Sequence, residues 1–137
     1  MSGATIGDGG STFEEGLAVR RAVLGDAHVD RAIARTTAFT ADFQDHITRT
    51  AWGDVWGRPG LDRRTRSVVT LSILAALRAT HEIPMHVRAA IGNGLTVEEI
   101  TEILLQVGVY AGVPAANTAF AIAQETLQEM GLVEPTA

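Results

Sequence analysis

A chain of 137 residues is long enough for one domain that buries about two-thirds of its unfolded surface without covalent staples. Its hydrophobic content of 46% and charged content of 20% are ordinary for a globular protein, and with no cysteine it has no disulfides, thiol catalysis or thiolate metal sites. No apolar run approaches the ~20 residues that cross a bilayer, and a net charge of −5 argues against nucleic acid as a partner.

The first residues lack a basic stretch followed by an apolar one, so the expected compartment is the cytoplasm. All eleven basic residues are arginine. That excludes a Schiff-base lysine and leaves planar guanidinium forks, which suit carboxylate ligands.

Taken in chain order, residues 1–10 are glycine-rich and polar and are expected to form a disordered tail, with a single helical domain over 11–137. Ser11 with Glu14 has the spacing of a capping box and opens a first helix ending near Gly25. A second helical region runs from Asp26 to Trp56, with a break near Thr36. Phe39, Phe43, Ile47 and Ala51 form its apolar stripe. Gly57-Arg58-Pro59-Gly60 is a breaker cluster.

Asp62 caps a third helix to about Ala79. Val68, Val69, Leu71, Ile73, Leu74, Ala76 and Leu77 cover most of its circumference, so it is expected to be buried nearly all round. So small a domain has little interior for such a helix. An oligomer is therefore expected, with subunit contacts over the 65–79 helix or the aromatic 39–56 stretch. The alternative is that the other helices wrap it completely.

Thr80 is placed to cap a fourth helix, with Pro84 in its first turn and Asn93-Gly94 as a left-handed stop. Thr96 and Glu99 make another capping box for a helix to about Tyr110. Val97, Ile100, Leu104 and Val107 share one stripe, and Glu98, Glu99 and Glu102 face water. Gly112-Val113-Pro114 starts a last helix to about Met130. No segment alternates with period two, so the fold class is all-α with about six helices.

The chemistry concentrates in His81-Glu82-Ile83-Pro84-Met85-His86. On a helix Glu82 and His86 stand four apart and share a face, close enough to exchange a proton. His81 and His86 are five apart and so fall on different sides, unlike metalloprotease ligands, which sit four apart. No metal site is expected. A lone histidine usually satisfies a core hydrogen bond; three ionisable groups at one helix start favour an acid/base site.

Arg58, Arg63, Arg64 and Arg66 gather around the Gly-Pro-Gly loop, most of them as solvated charges. Arg66, just inside the apolar helix, needs an anionic partner. Arg78 and Arg88 flank the histidine stretch. Trp52 and Trp56, four apart, read as core or interface. Tyr110 and Asn117 bracket the start of the last helix and are placed to line a pocket there, where free N–H groups favour an anion.

Several strings carry a resemblance. They are Ala51-Trp52-Gly53-Asp54-Val55-Trp56, Arg58-Pro59-Gly60-Leu61-Asp62 with Arg66-Ser67, and Glu82 through Arg88. Asn93-Gly94-Leu95-Thr96 and the run from Tyr110 to Asn117 complete the set. In order and spacing, over roughly residues 13 to 130, the chain resembles the carboxymuconolactone decarboxylase family.

The resemblance implies an AhpD-like helical fold, usually a homohexamer built as a trimer of dimers. It implies cofactor-independent conversion of 4-carboxymuconolactone to 3-oxoadipate enol-lactone in the protocatechuate branch of the β-ketoadipate pathway. The partner is then a small anionic lactone. Thiol peroxidase-reductase relatives carry Cys-x-x-Cys followed after three residues by His. Here His86 is kept, the cysteine positions fall on Ala79 and Glu82, and the relatives' upstream Glu falls near Ser67, so thiol chemistry is absent. Pro84 sits where a small helix former is more usual in the family.

Under this reading His86 donates the proton, Glu82 tunes and orients it, and His81 is a candidate oxyanion donor. Arg66 is the first candidate to clamp a substrate carboxylate, with Arg58 and Arg88 behind it. Two alternatives stay open: a relative acting on another small carboxylated lactone or keto acid, and a non-catalytic helical oligomer. The chain has no Gly-x-Ser-x-Gly elbow, so it is not expected to hydrolyse the enol-lactone.

Overall fold

The computed structural model describes residues 9–136, so all but the last two residues of the expected N-terminal tail lie outside the described part. Among the described residues there are seven α-helices, one π-helix and no strand, as the sequence pattern requires of an all-α chain. None of these helices is long and apolar enough to cross a membrane. The chain divides into two compact units, one ending at Leu61 and one beginning at Asp62.

The first unit holds α1 (Phe13–Leu24), α2 (Asp26–Ala34), α3 (Ala41–Ile47) and the π-helix Thr48–Trp56. The capping box of α1 sits one residue later than the sequence reading placed it. Thr12 accepts from the Glu15 N–H at 3.1 Å, and the Glu15 carboxylate accepts from the Thr12 N–H. Ser11-x-x-Glu14 has the same spacing, but the Ser11 N–H is committed to Asp54 Oδ1 at 2.6 Å.

The single region read over 26–56 is three elements. Residues 35–40 form the break, held by Thr37 N–H donating to Thr40 Oγ1 at 3.0 Å. Its expected apolar stripe also fails, because Phe39 and Phe43 are 95% and 61% exposed. The buried set is instead Thr48, Trp52 and Trp56, and the two indoles stack with centroids 5.3 Å apart. Gly16 of α1 lets this π-helix approach, since a β-carbon there would run into the Thr48 carbonyl.

The second unit holds α4 (Arg63–Leu77), α5 (Ile83–Gly92), α6 (Val97–Ala111) and α7 (Val113–Glu129). Asp62 caps α4 by accepting the Thr65 N–H at 2.7 Å, as expected. The Thr96/Glu99 capping box of α6 is present, and Asn93 followed by Gly94 at φ 98° stops α5. Thr80 does not cap α5; Glu82 occupies the N-cap position and no side chain caps it. Pro84 lies in the first turn, where its missing N–H costs nothing.

One core joins all four helices: Leu71 and Ala75 of α4, Ile83, Val87 and Ala90 of α5, Ile100, Leu104 and Val107 of α6, and Ala119, Ala123 and Leu127 of α7. Each fully buried Leu, Ile or Val side chain here contributes roughly 1.5–3 kcal/mol. Helix α4 is not buried all round. Val69, Ile73 and Leu77, four residues apart, leave it an outward apolar stripe 44%, 51% and 73% exposed. The other helices of this unit therefore do not wrap it.

Candidate active site

The first turn of α5 is fixed by burial on one side. Ile83 and Val87 are 2% and 1% exposed, and they hold the helix against the core. His86 lies between them in the helical order and is 7% exposed, an imidazole set into the wall. Its main-chain N–H donates to the Glu82 carbonyl at 3.2 Å, which fixes the i, i+4 relation expected from the spacing. The side chains of that pair differ in environment. Glu82 is exposed, as is His81 in the turn before the helix, so a buried imidazole stands one turn behind a solvated carboxylate.

The arginines separate by setting. Arg66, in the first turn of α4, is half-buried. Arg88 is exposed and donates to Glu129 of α7 at 2.7 Å, so it ties α5 to α7. Arg64 pairs with Glu99, and that guanidinium, followed by the Thr96 N–H, holds the Glu99 carboxyl below its ordinary range. Arg58 is exposed and belongs to the other unit.

Tyr110 and Asn117 do not converge on one pocket. Tyr110 is 85% exposed and lines a groove of about 380 Å³ between α4 and α6, with Val68, Ser72, Ile73 and Ala76. Asn117 lines a groove of about 500 Å³ between α6 and α7, with Leu105, Val109 and Phe120. Neither groove is lined by His81, Glu82 or His86, and both are largely apolar.

Sequence reasoning missed one polar contact beside α5. Asn93, read only as a helix stop, donates from Nδ2 to Ser67 Oγ at 2.9 Å, and Ser67 is 1% exposed. A small hydroxyl on the inner face of an otherwise apolar helix was the available signal, since buried polar groups are hydrogen-bonded. It falls near the position where the thiol relatives carry a glutamate. In this chain that place holds a neutral strut from α4 to the end of the histidine helix.

Comparison with known proteins adds the following. Residues 41–125 match the model of the Carboxymuconolactone decarboxylase family. A 4-carboxymuconolactone decarboxylase of Acinetobacter baylyi is 46% identical over 120 residues, covering 88% of this chain and 90% of that protein. A nitrosuccinic acid decarboxylase of Metarhizium robertsii is 44% identical over 118 residues, covering 86% and 82%. A 4-carboxymuconolactone decarboxylase of Pseudomonas putida is 55% identical over 42 residues, covering 31% of this chain and 88% of that sequence.

Proposed function

Since the chain belongs to the carboxymuconolactone decarboxylase family, we propose that it is a carboxy-lyase that converts 4-carboxymuconolactone to 3-oxoadipate enol-lactone, within the cytoplasmic catabolism of protocatechuate. The observation that carries this reading is the 46% identity to a decarboxylase of that substrate over 88% of the chain. A buried His86 one turn from Glu82 supplies the acid/base pair the reaction needs.

The substrate is a butenolide with a carboxylate on the ring carbon bonded to the lactone oxygen, and an acetate arm. When the bond to that carboxylate breaks, CO₂ leaves and its electron pair moves through the ring double bond into the lactone carbonyl. The result is a dienolate with its charge on oxygen. The substrate thus brings its own electron sink, and the protein has three tasks. It holds the dianion, stabilises the new oxyanion and delivers one proton to carbon.

His86, as imidazolium, delivers the proton. Glu82, on the solvent side of the same turn, orients the ring and hands it the next proton. His81 donates to the oxyanion. Arg66 clamps the acetate arm, with Arg88 as the second candidate. The carboxylate that departs sits away from the guanidinium, because a strong ion pair there would stabilise the ground state and slow its loss.

The 44% identity to a nitrosuccinic acid decarboxylase favours one second reading. Nitrosuccinic acid is also a dicarboxylate, and its nitro group takes up carbanion charge as the lactone carbonyl does. The same pocket logic serves both acids. Following the ultraviolet absorbance of each acid on adding protein separates them: turnover of the lactone alone supports the first reading, turnover of nitrosuccinate alone the second, and inertness of both points to a non-catalytic helical oligomer.

The protein also works as a homo-oligomer in this proposal, a hexamer built as a trimer of dimers. What supports assembly is the unpartnered apolar stripe of Val69, Ile73 and Leu77 on α4, together with Val109 and Tyr110 of α6 at 79% and 85% exposure.

A further inference from the structure

Arg20 is the most deeply buried arginine described, at 7% exposure, and it lies in the first unit, outside every role assigned above. Its Nη1 donates to Gln44 Oε1 at 3.2 Å and to Thr48 Oγ1 at 3.3 Å, both neutral acceptors. Among the described residues its Nε has no acceptor. Among the described residues no carboxylate pairs with it; the nearby Asp45 is engaged by Arg49 at 2.9 Å. A buried cation balanced only by neutral dipoles is unfavourable unless a counter-charge arrives. Burial accordingly lowers the Arg20 pKa.

The guanidinium also has somewhere to receive a counter-charge. Arg20, Thr36, Gln44, Asp45 and Thr48 form the polar part of the wall of a cavity of about 360 Å³, and Phe13, Leu17 and Ile33 are among its apolar part. Thr48 opens the π-helix, a form that is rare and often marks functional positions. The Thr48 hydroxyl donates to the Gln44 carbonyl at 2.7 Å, which leaves its oxygen facing Arg20 as an acceptor. One uncompensated positive charge beside an apolar lining fits a ligand with one negative charge and a carbon body. A phosphate dianion would need a second cation.

We propose that this cavity is a binding site for a small organic monocarboxylate, its carboxylate paired with Arg20 and its body against Phe13, Leu17 and Ile33. The site uses none of the residues assigned to the decarboxylation, and its test does not depend on that reading. The full-length protein is titrated with benzoate, with benzamide as an uncharged analogue of the same shape, and with chloride at matched ionic strength.

Benzoate at about ten times its dissociation constant is expected to raise the melting temperature by roughly 3–6 °C, with benzamide and chloride inactive. Arg20→Met should weaken benzoate binding at least about tenfold, the equivalent of one charge-assisted hydrogen bond. Equal stabilisation of wild type and Arg20→Met, or none in the wild type up to the solubility of benzoate, overturns the proposal and leaves Arg20 as an internal strut. Should Arg20→Met fail to fold, the Arg20 Nε–H resonance of ¹⁵N-labelled wild type decides. A shift with benzoate and not benzamide supports the site, and an unmoved resonance removes it.

Discussion

Asn93 at the end of α5 donates its side-chain N–H to the hydroxyl of Ser67 on α4, 2.9 Å away and almost fully buried. The bond ties the helix bearing His86 to the one bearing Arg66, at the residue that follows Arg66 in sequence. Ser67→Ala deletes the acceptor and leaves the Asn93 amide unsatisfied in a half-buried place, at a cost of about 1–3 kcal/mol. The expected result is a melting temperature lower by several degrees with turnover close to wild type, checked by thermal unfolding and a lactone assay in parallel. A stability unchanged within error would mean that water replaces Ser67 without loss.

His86→Ala and Glu82→Gln test the acid/base pair. Both should stay folded, and both should lose turnover by a factor within the ~10²–10⁴ typical of a general acid or its partner. The two differ in burial, so their side effects differ. His86 sits in the wall of the core, and its truncation leaves a cavity that lowers stability; Glu82 is in solvent, and its change should leave the melting temperature alone. Wild-type rates in both variants would detach α5 from the chemistry.

Arg66→Ala should raise KM for the dianionic lactone while changing kcat less, as loss of uniform binding does. Arg88→Ala should change KM less than Arg66→Ala, because Arg88 already holds Glu129 at 2.7 Å. Steady-state kinetics on the two variants decide the order. A larger KM effect from Arg88 would reassign the carboxylate clamp.

Much of the fold was legible because its signals are local. Asp62, Thr96 with Glu99, and Asn93-Gly94 mark helix ends through bonds within four residues, and each appears where the spacing put it. The misplacements have non-local causes. Ser11 and Thr12 are equally good caps by pattern, and only the bond from Ser11 to Asp54, 43 residues away, decides between them. The π-helix follows α3 without a sequence break, and its close approach depends on Gly16, which lies on another helix.

At the site, the His86–Glu82 spacing was readable, because it is a property of one helix. That Tyr110 and Asn117 face different grooves was not, since two helices and their packing determine it. The role of Arg20 could not be read either. Its partners Gln44 and Thr48 lie 24 and 28 residues away.

Acid should weaken the fold through the carboxylates that cap and brace α4 and α6. The Thr65 N–H holds the Asp62 carboxyl below its ordinary range, and Arg64 does the same for Glu99. A folded-state pKa below the unfolded one means stability that is present above the unfolded value and lost as pH falls through the folded one. Denaturant midpoints should therefore drop from neutral pH into the range below ordinary carboxylate titration. Asp62→Asn and Glu99→Gln should each flatten that drop. Both groups are exposed, so each change is expected to be small and reduced by salt. Profiles parallel to wild type would show that other carboxylates set the acid limit.

Ile73→Glu addresses the outward face of α4. In an isolated protomer Ile73 is 51% exposed, and a charge there should change stability by no more than about 0.5 kcal/mol. Across a two-fold contact the same change buries a carboxylate opposite an apolar stripe, and near the axis opposite its own copy, at a cost of several kcal/mol. Light scattering after size exclusion should therefore show a smaller assembly for Ile73→Glu than for wild type, with helical content kept. Phe43→Glu is the companion variant, because Phe43 is 61% exposed on α3 in the other stretch expected to make contacts. Dissociation by Phe43→Glu alone would move the interface there, and wild-type mass for both variants would leave α4 uncovered in solution.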